Sequence, residues 1–400
     1  MTSFEWGFYK ARKNFVHIFS AELILRWFYQ VGKTPLLPLF AAAIGAAEMM
    51  IGMIVAVSTF SGMLLKPIFG ILSDRWGRRV WLGVSLFIFT FTPFLYQFIS
   101  SDIELFWLRL FHGIATAILG PVSLAYVAEL NNDTPATRLA IFGMARSLAS
   151  LGAPLFAGVA LTVFEFQTVF TFIGFGSLMA MGPIFLLRDQ INHHEIRVNS
   201  VWFQIRKAFQ YSFSNPAIWI AGFLELIVYL VVYALKAFLP LFILSLDSGT
   251  ILQAGMFFTL QETLHMCFRP VGGRLADEKG YGPVIFYGMM ILAVGLSMIT
   301  FLSGNLIFII AIFLGVGQAF IFPSSVALLA SRTDIQHRGA AMGFYGALRN
   351  FGKVLGPVLA GFLLSKFDFA SVFMGFSGFI FVTTILAVPA WRRIVEGLSD

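Results

Sequence analysis

The amino-acid sequence predicts an all-α integral membrane protein, with twelve transmembrane helices in two parallel six-helix repeats. Three observations carry that expectation. Of 400 residues, 58% are hydrophobic and only 12% charged, with 47 phenylalanines and a mean hydropathy of +0.84, more apolar surface than a water-soluble core can hide. Apolar stretches of about 20 to 27 residues recur along the chain, each long enough to cross roughly 30 Å of hydrocarbon as a helix. Finally, a polar phrase, GILSDRWGRR at 70–79, returns as GRLADEKGYG at 273–282, an offset of 203 residues.

Charged breaks and Gly/Pro punctuation place the twelve spans at 14–40, 46–72, 80–98, 103–128, 138–163, 166–187, 216–245, 250–275, 284–301, 306–330, 339–364 and 369–390. Residues 1–15 lack the pattern of a cleaved signal peptide, so the first span is expected to stay in the mature chain. Cys267 is the single cysteine and offers no disulfide framework.

The net charge of +7 is explained by where the bases fall. Seventeen of 27 Lys/Arg lie in the tails and alternate loops, and the opposite loops hold only Lys366. That asymmetry predicts cytoplasmic termini and a multi-pass protein of the cell's inner or plasma membrane. It removes the case for nucleic-acid binding. The expected organisation is an N-terminal half (1–187), a cytoplasmic linker (188–215) and a C-terminal half (216–400). Within the linker, SVWFQIRKAFQYSF at 200–213 can form an amphipathic helix on the membrane surface.

The 203-residue offset, chosen on Pro67/Pro270, Gly70/Gly273, Leu72/Leu275, Asp74/Asp277 and Gly77/Gly280, also pairs residues far from those loops. Glu22 meets Glu225, Lys33 meets Lys236, Arg146 meets Arg349 and Pro154 meets Pro357. Six crossings per half is an even number, so both halves enter from the same side and relate by an axis along the membrane normal.

Nine basic residues fall inside the spans, where a charge costs several kcal/mol and normally faces a partner or a wet cavity. Glu22, Arg26, Tyr29 and Lys33 lie within about 60° of one another on a 100° helical wheel and make one polar stripe about 16 Å long. Glu225, Tyr229 and Lys236 repeat the stripe in the seventh span. The two are expected to face each other across a central cavity. Arg109, Arg146, Glu262, His265, Arg349 and Lys353 complete the candidate substrate-binding or proton-coupling set. Arg269 and Lys66 are expected near the cytoplasmic end, and His17 and His112 read as structural or interfacial. For any one of these residues, a buried structural ion pair such as Glu22 with Arg26 is the competing explanation; one neutral pair does not account for the whole excess of interior bases.

In the polar phrase, Gly70 and Gly77 are expected to permit a tight reversal and close helix approach. Asp74 is expected to accept charge-assisted bonds from arginine or a helix N-terminus. Gly70, Asp74, Arg75, Gly77, Arg78 and Asp277 thus form a candidate conformational latch on the cytoplasmic side. Anchoring of topology by Arg75, Arg78 and Arg79 is the plainer alternative.

GILSDRWGRR resembles the loop signature G-x-L-a-D-r-x-G-r-k of the Major Facilitator Superfamily, departing only in Ser73 for the usual alanine. The second copy keeps Gly273, Leu275, Asp277 and Gly280 but has Glu278 and Tyr281-Gly282 where basic residues are usual. RLFHGIATA at 109–117 resembles the family's fourth-helix pattern, with His112 for the usual glutamine. GKVLGPVLAG at 352–361 resembles a Gly/Pro pattern associated with antiporters, although the fifth span, where that pattern belongs, has Ala153 before Pro154. The resemblance spans essentially the whole chain. It implies a secondary transporter working by alternating access, similar to bacterial drug or metabolite:proton antiporters.

The function expected is proton-coupled export of a small organic solute or drug. An importer or exchanger of organic anions, suggested by the excess of interior bases and the Lys33/Lys236 pair, is the alternative. A receptor or assembly factor on a transporter scaffold is disfavoured because few loops are long enough to recognise a partner. Expected partners are the solute, protons and the lipid bilayer, and the expected state is a monomer. No cofactor, metal site or enzymatic activity is expected: VGKT at 31–34 lacks the phosphate-loop glycine, since position 27 is Trp27, and His193-His194 have no further ligand spacing.

Overall fold

In the computed structural model, the described residues are 3–130, 135–187, 215–301, 304–334 and 337–395. All their regular structure is helical. The predicted linker, with its amphipathic segment at 200–213, lies outside them. The helices are α1 (Ser3–Val31), α2 (Leu36–Ala43), α3 (Glu48–Trp76), α4 (Arg78–Leu95), α5 (Asp102–Glu129), α6 (Pro135–Ala160), α7 (Phe166–Leu178), α8 (Met181–Phe185), α9 (Pro216–Ser245), α10 (Ile251–Lys279), α11 (Tyr281–Ser297), α12 (Ile307–Ser331), α13 (Arg338–Leu364) and α14 (Phe369–Val395). Helices are what hydrocarbon permits, because every backbone N–H and C=O is satisfied within the segment.

Ten helical passages among the described residues are long and apolar enough to cross a membrane. The other two predicted spans fall on α1 with α2 and on α10, whose interior charges dilute their hydropathy. Large apolar side chains lie open on the outside, including Phe87, Phe98, Trp107, Phe175 and Phe301. In water such a surface would aggregate; against lipid tails it is the expected exterior.

Three spans differ from the sequence expectation. The first breaks at 32–35, between α1 and α2, where Gly32 and Pro35 end the helical hydrogen-bond ladder, so Lys33 sits in the break and not on a continuous helix. The sixth is interrupted at Met179-Ala180 between α7 and α8. The second runs on through most of the polar phrase to Trp76.

Contacts divide the chain into two units, Met1–His194 with Ala254–Thr259, and Glu195–Gln253 with Leu260–Asp400. In the first, α3 lies along α5, α1 along α6, and α4 against α5 and α7. Its core gathers Ile18, Leu25, Leu82, Ile118, Val122 and Phe142. In the second, α9 lies along α13, and α11 packs on α12 and α14. Two helix starts carry reciprocal caps: Glu104 N donates to Ser101 Oγ (3.3 Å) while Glu104 Oε2 accepts from Ser101 N (3.2 Å), and Thr250 with Gln253 does the same at α10.

Within hydrocarbon the helices gain nothing from hiding apolar surface from one another, so close backbone approach does the holding. On α13, Gly352 and Gly356 form a G-x-x-x-G face: a Cβ added there would stand 2.3 Å from Leu226 O and 2.0 Å from Leu230 O of α9. The repeat-related positions in α6 are Ala149 and Ala153, both fully buried. The alanine that breaks the antiporter-like pattern thus marks a helix pair built at the spacing of a methyl group. Gly113 on Ser58 O and Gly315 on Gln261 O, at 2.7 and 2.6 Å for an added Cβ, are a matched pair of such crossings in the two units.

Gly356→Ala is expected to force α9 and α13 apart and destabilise the protein by about 1–3 kcal/mol. Gly343→Ala, where an added Cβ meets nothing within 4 Å, is expected to be neutral. Thermal unfolding of the two purified variants in detergent checks this; equal midpoints would contradict it.

Candidate functional site

The polar residues of the first unit separate into two groups. Glu22 of α1 is fully buried, and its Oε1 takes Arg26 Nε from one turn on and Arg146 Nε of α6 at 3.1 Å. Its Oε2 has no hydrogen-bond partner. The carboxylate is the buried member of this cluster and the two arginines are half-buried, so it is Glu22 that depends on the pairing. The second group surrounds Tyr29. Its hydroxyl lies 3.3 Å from Ser58 Oγ, which also accepts from Arg109 at 2.7 Å. Both Arg109 and Lys33 lie over the Tyr29 ring, at 5.7 and 5.8 Å. The helix break therefore leaves Lys33 beside the stripe it was expected to belong to.

The second unit is wired differently. Lys236 of α9 donates to Glu262 Oε1 of α10 at 2.7 Å, His265 Nδ1 stands 3.6 Å from Glu262 Oε2, and Arg269 Nε donates to His265 Nε2 at 3.1 Å. The donation to Nε2 assigns the ring's proton to Nδ1, facing the carboxylate. Glu262, His265 and Arg269 follow one face of α10 for about 10 Å at 1.5 Å per residue. Arg269, expected only at the cytoplasmic edge, extends this chain.

Glu225, the repeat counterpart of Glu22, is 1% exposed. Its surroundings contain Arg349, Tyr345 and Lys353, all on α13, and its Oε2 lacks a hydrogen-bond partner. Among the described residues it forms no ion pair within 4 Å. Position 26 plus the repeat offset is Tyr229, so the arginine that clamps Glu22 from one turn away is absent here. Lys353 and Arg349 lie instead over the Tyr229 ring, at 4.6 and 5.7 Å. That ring stacks on Phe322, which touches His265 edge-on at 5.0 Å between centroids.

The polar phrase folds as the end of α3, one glycine, and the start of α4. Gly77 has φ +88 and ψ 142, and Gly280 has φ +88 and ψ 151. An L side chain is strained in that region. Gly70 does not serve the reversal: it lies within α3, and a Cβ there would meet nothing within 4 Å, because one left-handed residue suffices to turn the chain. Arg78 holds the corner. Its guanidinium donates to Ser73 Oγ (2.8 Å), meets Asp74 Oδ1 (2.6 Å) and engages Glu129 Oε1 at the end of α5 (2.5 Å). Arg75 is exposed, and among the described residues neither it nor Asp277 forms an ion pair within 4 Å; in the second copy Tyr281 stands where Arg78 would be and Arg332 where Glu129 would be.

The sequence reading missed Glu129, Ser58, Tyr345 and Phe322. Tyr345 carried a signal, being one turn before Arg349; the others owe their places to tertiary packing. Among the described residues no group of three His, Cys, Asp or Glu could hold a metal ion.

The profile of the Major Facilitator Superfamily matches residues 24–281 and 222–397. An MFS-type transporter of Methanocaldococcus jannaschii is 24% identical over 368 residues, covering 88% of this chain and 92% of that protein. A homologue of the multi-drug resistance efflux pump PmrA from Lactococcus lactis is 22% identical, covering 91% and 92%. Among solved structures, a variant of the nucleoside transporter NupG superposes with a TM-score of 0.81 at 15% identity, covering 94% of this chain and 99% of that one.

Because Asp74 and Glu129 hold the same guanidinium, Asp74→Asn and Glu129→Gln are expected to slow transport to a similar degree, and the double variant is expected to be no worse than either. Asp277→Asn is expected to transport normally. Initial rates normalised to surface-expressed protein decide this; full additivity, or an Asp277→Asn defect equal to that of Asp74→Asn, would remove the latch.

Proposed function

This chain belongs to the Major Facilitator Superfamily and is therefore a multi-pass membrane transporter, not an enzyme; on that footing we propose that it exports a small organic solute in exchange for protons by alternating access. Its two six-helix halves, residues 1–187 and 216–400, would serve as the moving bodies, working as a monomer in the inner or plasma membrane with both termini in the cytoplasm. Relatives named as a multi-drug resistance efflux pump homologue and an export protein support the outward direction.

The observation that carries proton coupling is the contrast between the two repeat-related glutamates. Glu22 holds two guanidinium groups and acts as a fixed counter-charge for α1 and α6. Glu225 is as deeply buried and shares the unpartnered Oε2, but among the described residues it has no ion pair, with Arg349 and Lys353 within electrostatic reach. A carboxyl so placed can alternate between a proton and a neighbouring cation as its counter-charge. Of the two glutamates in the candidate proton-coupling set, Glu225 fills the coupling role better than Glu22, with the Lys236–Glu262–His265–Arg269 chain as the adjoining polar path.

Glu225→Gln is expected to reduce flux driven by an imposed pH gradient in proteoliposomes by at least about tenfold while solute exchange without a gradient persists. Glu22→Gln is expected to act mainly on stability, lowering it by about 1–3 kcal/mol through the loss of the carboxylate that two half-buried arginines share. Gradient-driven flux that survives Glu225→Gln and vanishes in a folded Glu22→Gln protein would return the coupling role to Glu22. Reporters fused after residue 200 and at the C-terminus are both expected on the cytoplasmic side, and one inserted near Asp102 outside.

A further inference from the structure

Arg26 and Arg146 of the first unit share the one carboxylate of Glu22, and a further cation of that unit's interior is Arg109 of α5. It is 1% exposed, and among the described residues no carboxylate lies within 4 Å of it. Its guanidinium meets only neutral oxygens, Ser58 Oγ at 2.7 Å and the Tyr96 hydroxyl at 3.5 Å, and its Nε has no partner at all. One turn on, His112 is 4% exposed and both of its ring nitrogens lack hydrogen-bond partners. The His112 ring packs edge-on against Tyr29, 5.2 Å between centroids. Tyr29 is half-exposed, and Lys33, also half-exposed, brings a second cation to the same ring.

The fold's internal repeat supplies a control. The positions related by 203 residues to Tyr29, Ser58, Tyr96, Arg109 and His112 are Val232, Gln261, Ile299, Ile312 and Gly315, none of them charged. The second unit packs Gly315 against Gln261 with Ile312 in the place of Arg109, so a crossing at this level of the fold forms without a cation at that position. A buried cation with no carboxylate beside it favours a counter-charge that comes from outside.

We propose that Tyr29, Ser58, Arg109 and His112, with Lys33 at the rim, form a site for the oxyanion of the transported solute, a carboxylate or a phosphoryl group. The inference rests on the transporter reading and adds the chemical class of its substrate. Lys33 and the Tyr29 hydroxyl meet the anion first, and a turn of the phenol ring gives it access to Arg109, whose planar fork suits two oxygens. His112 supplies a further donor. In the second unit Lys236 is already held by Glu262, and the cations over the Tyr229 ring, Arg349 and Lys353, have the Glu225 carboxyl within electrostatic reach.

Three probes of one shape test this: benzoate, phenylphosphonate and the neutral benzamide, added to the purified full-length protein while thermal unfolding is followed. The expected result is saturable stabilisation by at least one of the two anions and none by benzamide; which anion is preferred tells carboxylate from phosphoryl substrates. Arg109→Gln is expected to weaken that anion by at least about tenfold without lowering the unfolding midpoint of the empty protein. A structural arginine would behave oppositely, with a lowered midpoint and unchanged anion affinity. Should Arg109→Gln fail to fold, Lys33→Gln decides, with several-fold weaker anion binding and no change toward benzamide expected. Equal response to the anions and the amide, no response to any probe, or an unaltered anion preference in Lys33→Gln overturns the proposal. Binding is read without flux or a proton gradient, so failure of proton-coupled export in vesicles leaves this result standing, and the reverse.

Discussion

A charge inside hydrocarbon must find an opposite charge or a hydrogen-bonding shell, and most of this molecule's particular features follow from that constraint. The two passages too polar to meet a simple apolarity criterion, α1 and α10, carry Glu22 with Arg26 and Glu262 with His265. Both hold their charges by reaching across to a neighbouring helix, α6 for Glu22 and α9 for Glu262. The remaining passages are free to be oily on the outside because the polar work is concentrated on a few faces.

The repeat shows how the same backbone plan carries two electrical plans. Gly77 and Gly280 turn the chain with nearly identical dihedral angles, yet only the first corner has an arginine to tie α3, α4 and α5 together. Glu22 and Glu225 occupy equivalent, equally buried sites, yet the first is clamped and the second is not. Backbone geometry is set by glycines, prolines and helix crossings, which the two halves share. Charge pairing depends on side chains at single positions, such as 26 against 229 or 78 against 281, and these have diverged.

Much of the fold was legible in the sequence because it rests on properties that add along the chain: apolar run lengths, Gly/Pro breaks and a doubled loop phrase. The break at 32–35 was marked by Gly32, Pro35 and Pro38, but proline alone does not distinguish it, since Pro67 and Pro154 sit inside unbroken helices of the same chain. The site was legible as an inventory and not as a wiring diagram. Helical spacing revealed that Glu22 and Arg26 share a face. It did not reveal that Arg146, 124 residues away, would join them, that Lys236 would take Glu262, or that Ser58 and not a carboxylate would meet Arg109. Such contacts depend on which helices cross and at what depth, and a one-dimensional pattern contains neither.

The seam of Gly352 and Gly356 against Leu226 and Leu230 has a mechanical meaning. Two helices touching backbone to backbone behave as a single strut, because sliding one past the other would drive carbonyl oxygens into neighbouring chain. Glu225 is on one side of that strut and Arg349 on the other, one turn or less from the seam. The seam therefore keeps the backbones that carry the carboxyl and the guanidinium at a fixed spacing. A change of charge at Glu225 during a working cycle then needs no movement of these helices, only something small enough to arrive and leave along the strut without bending it.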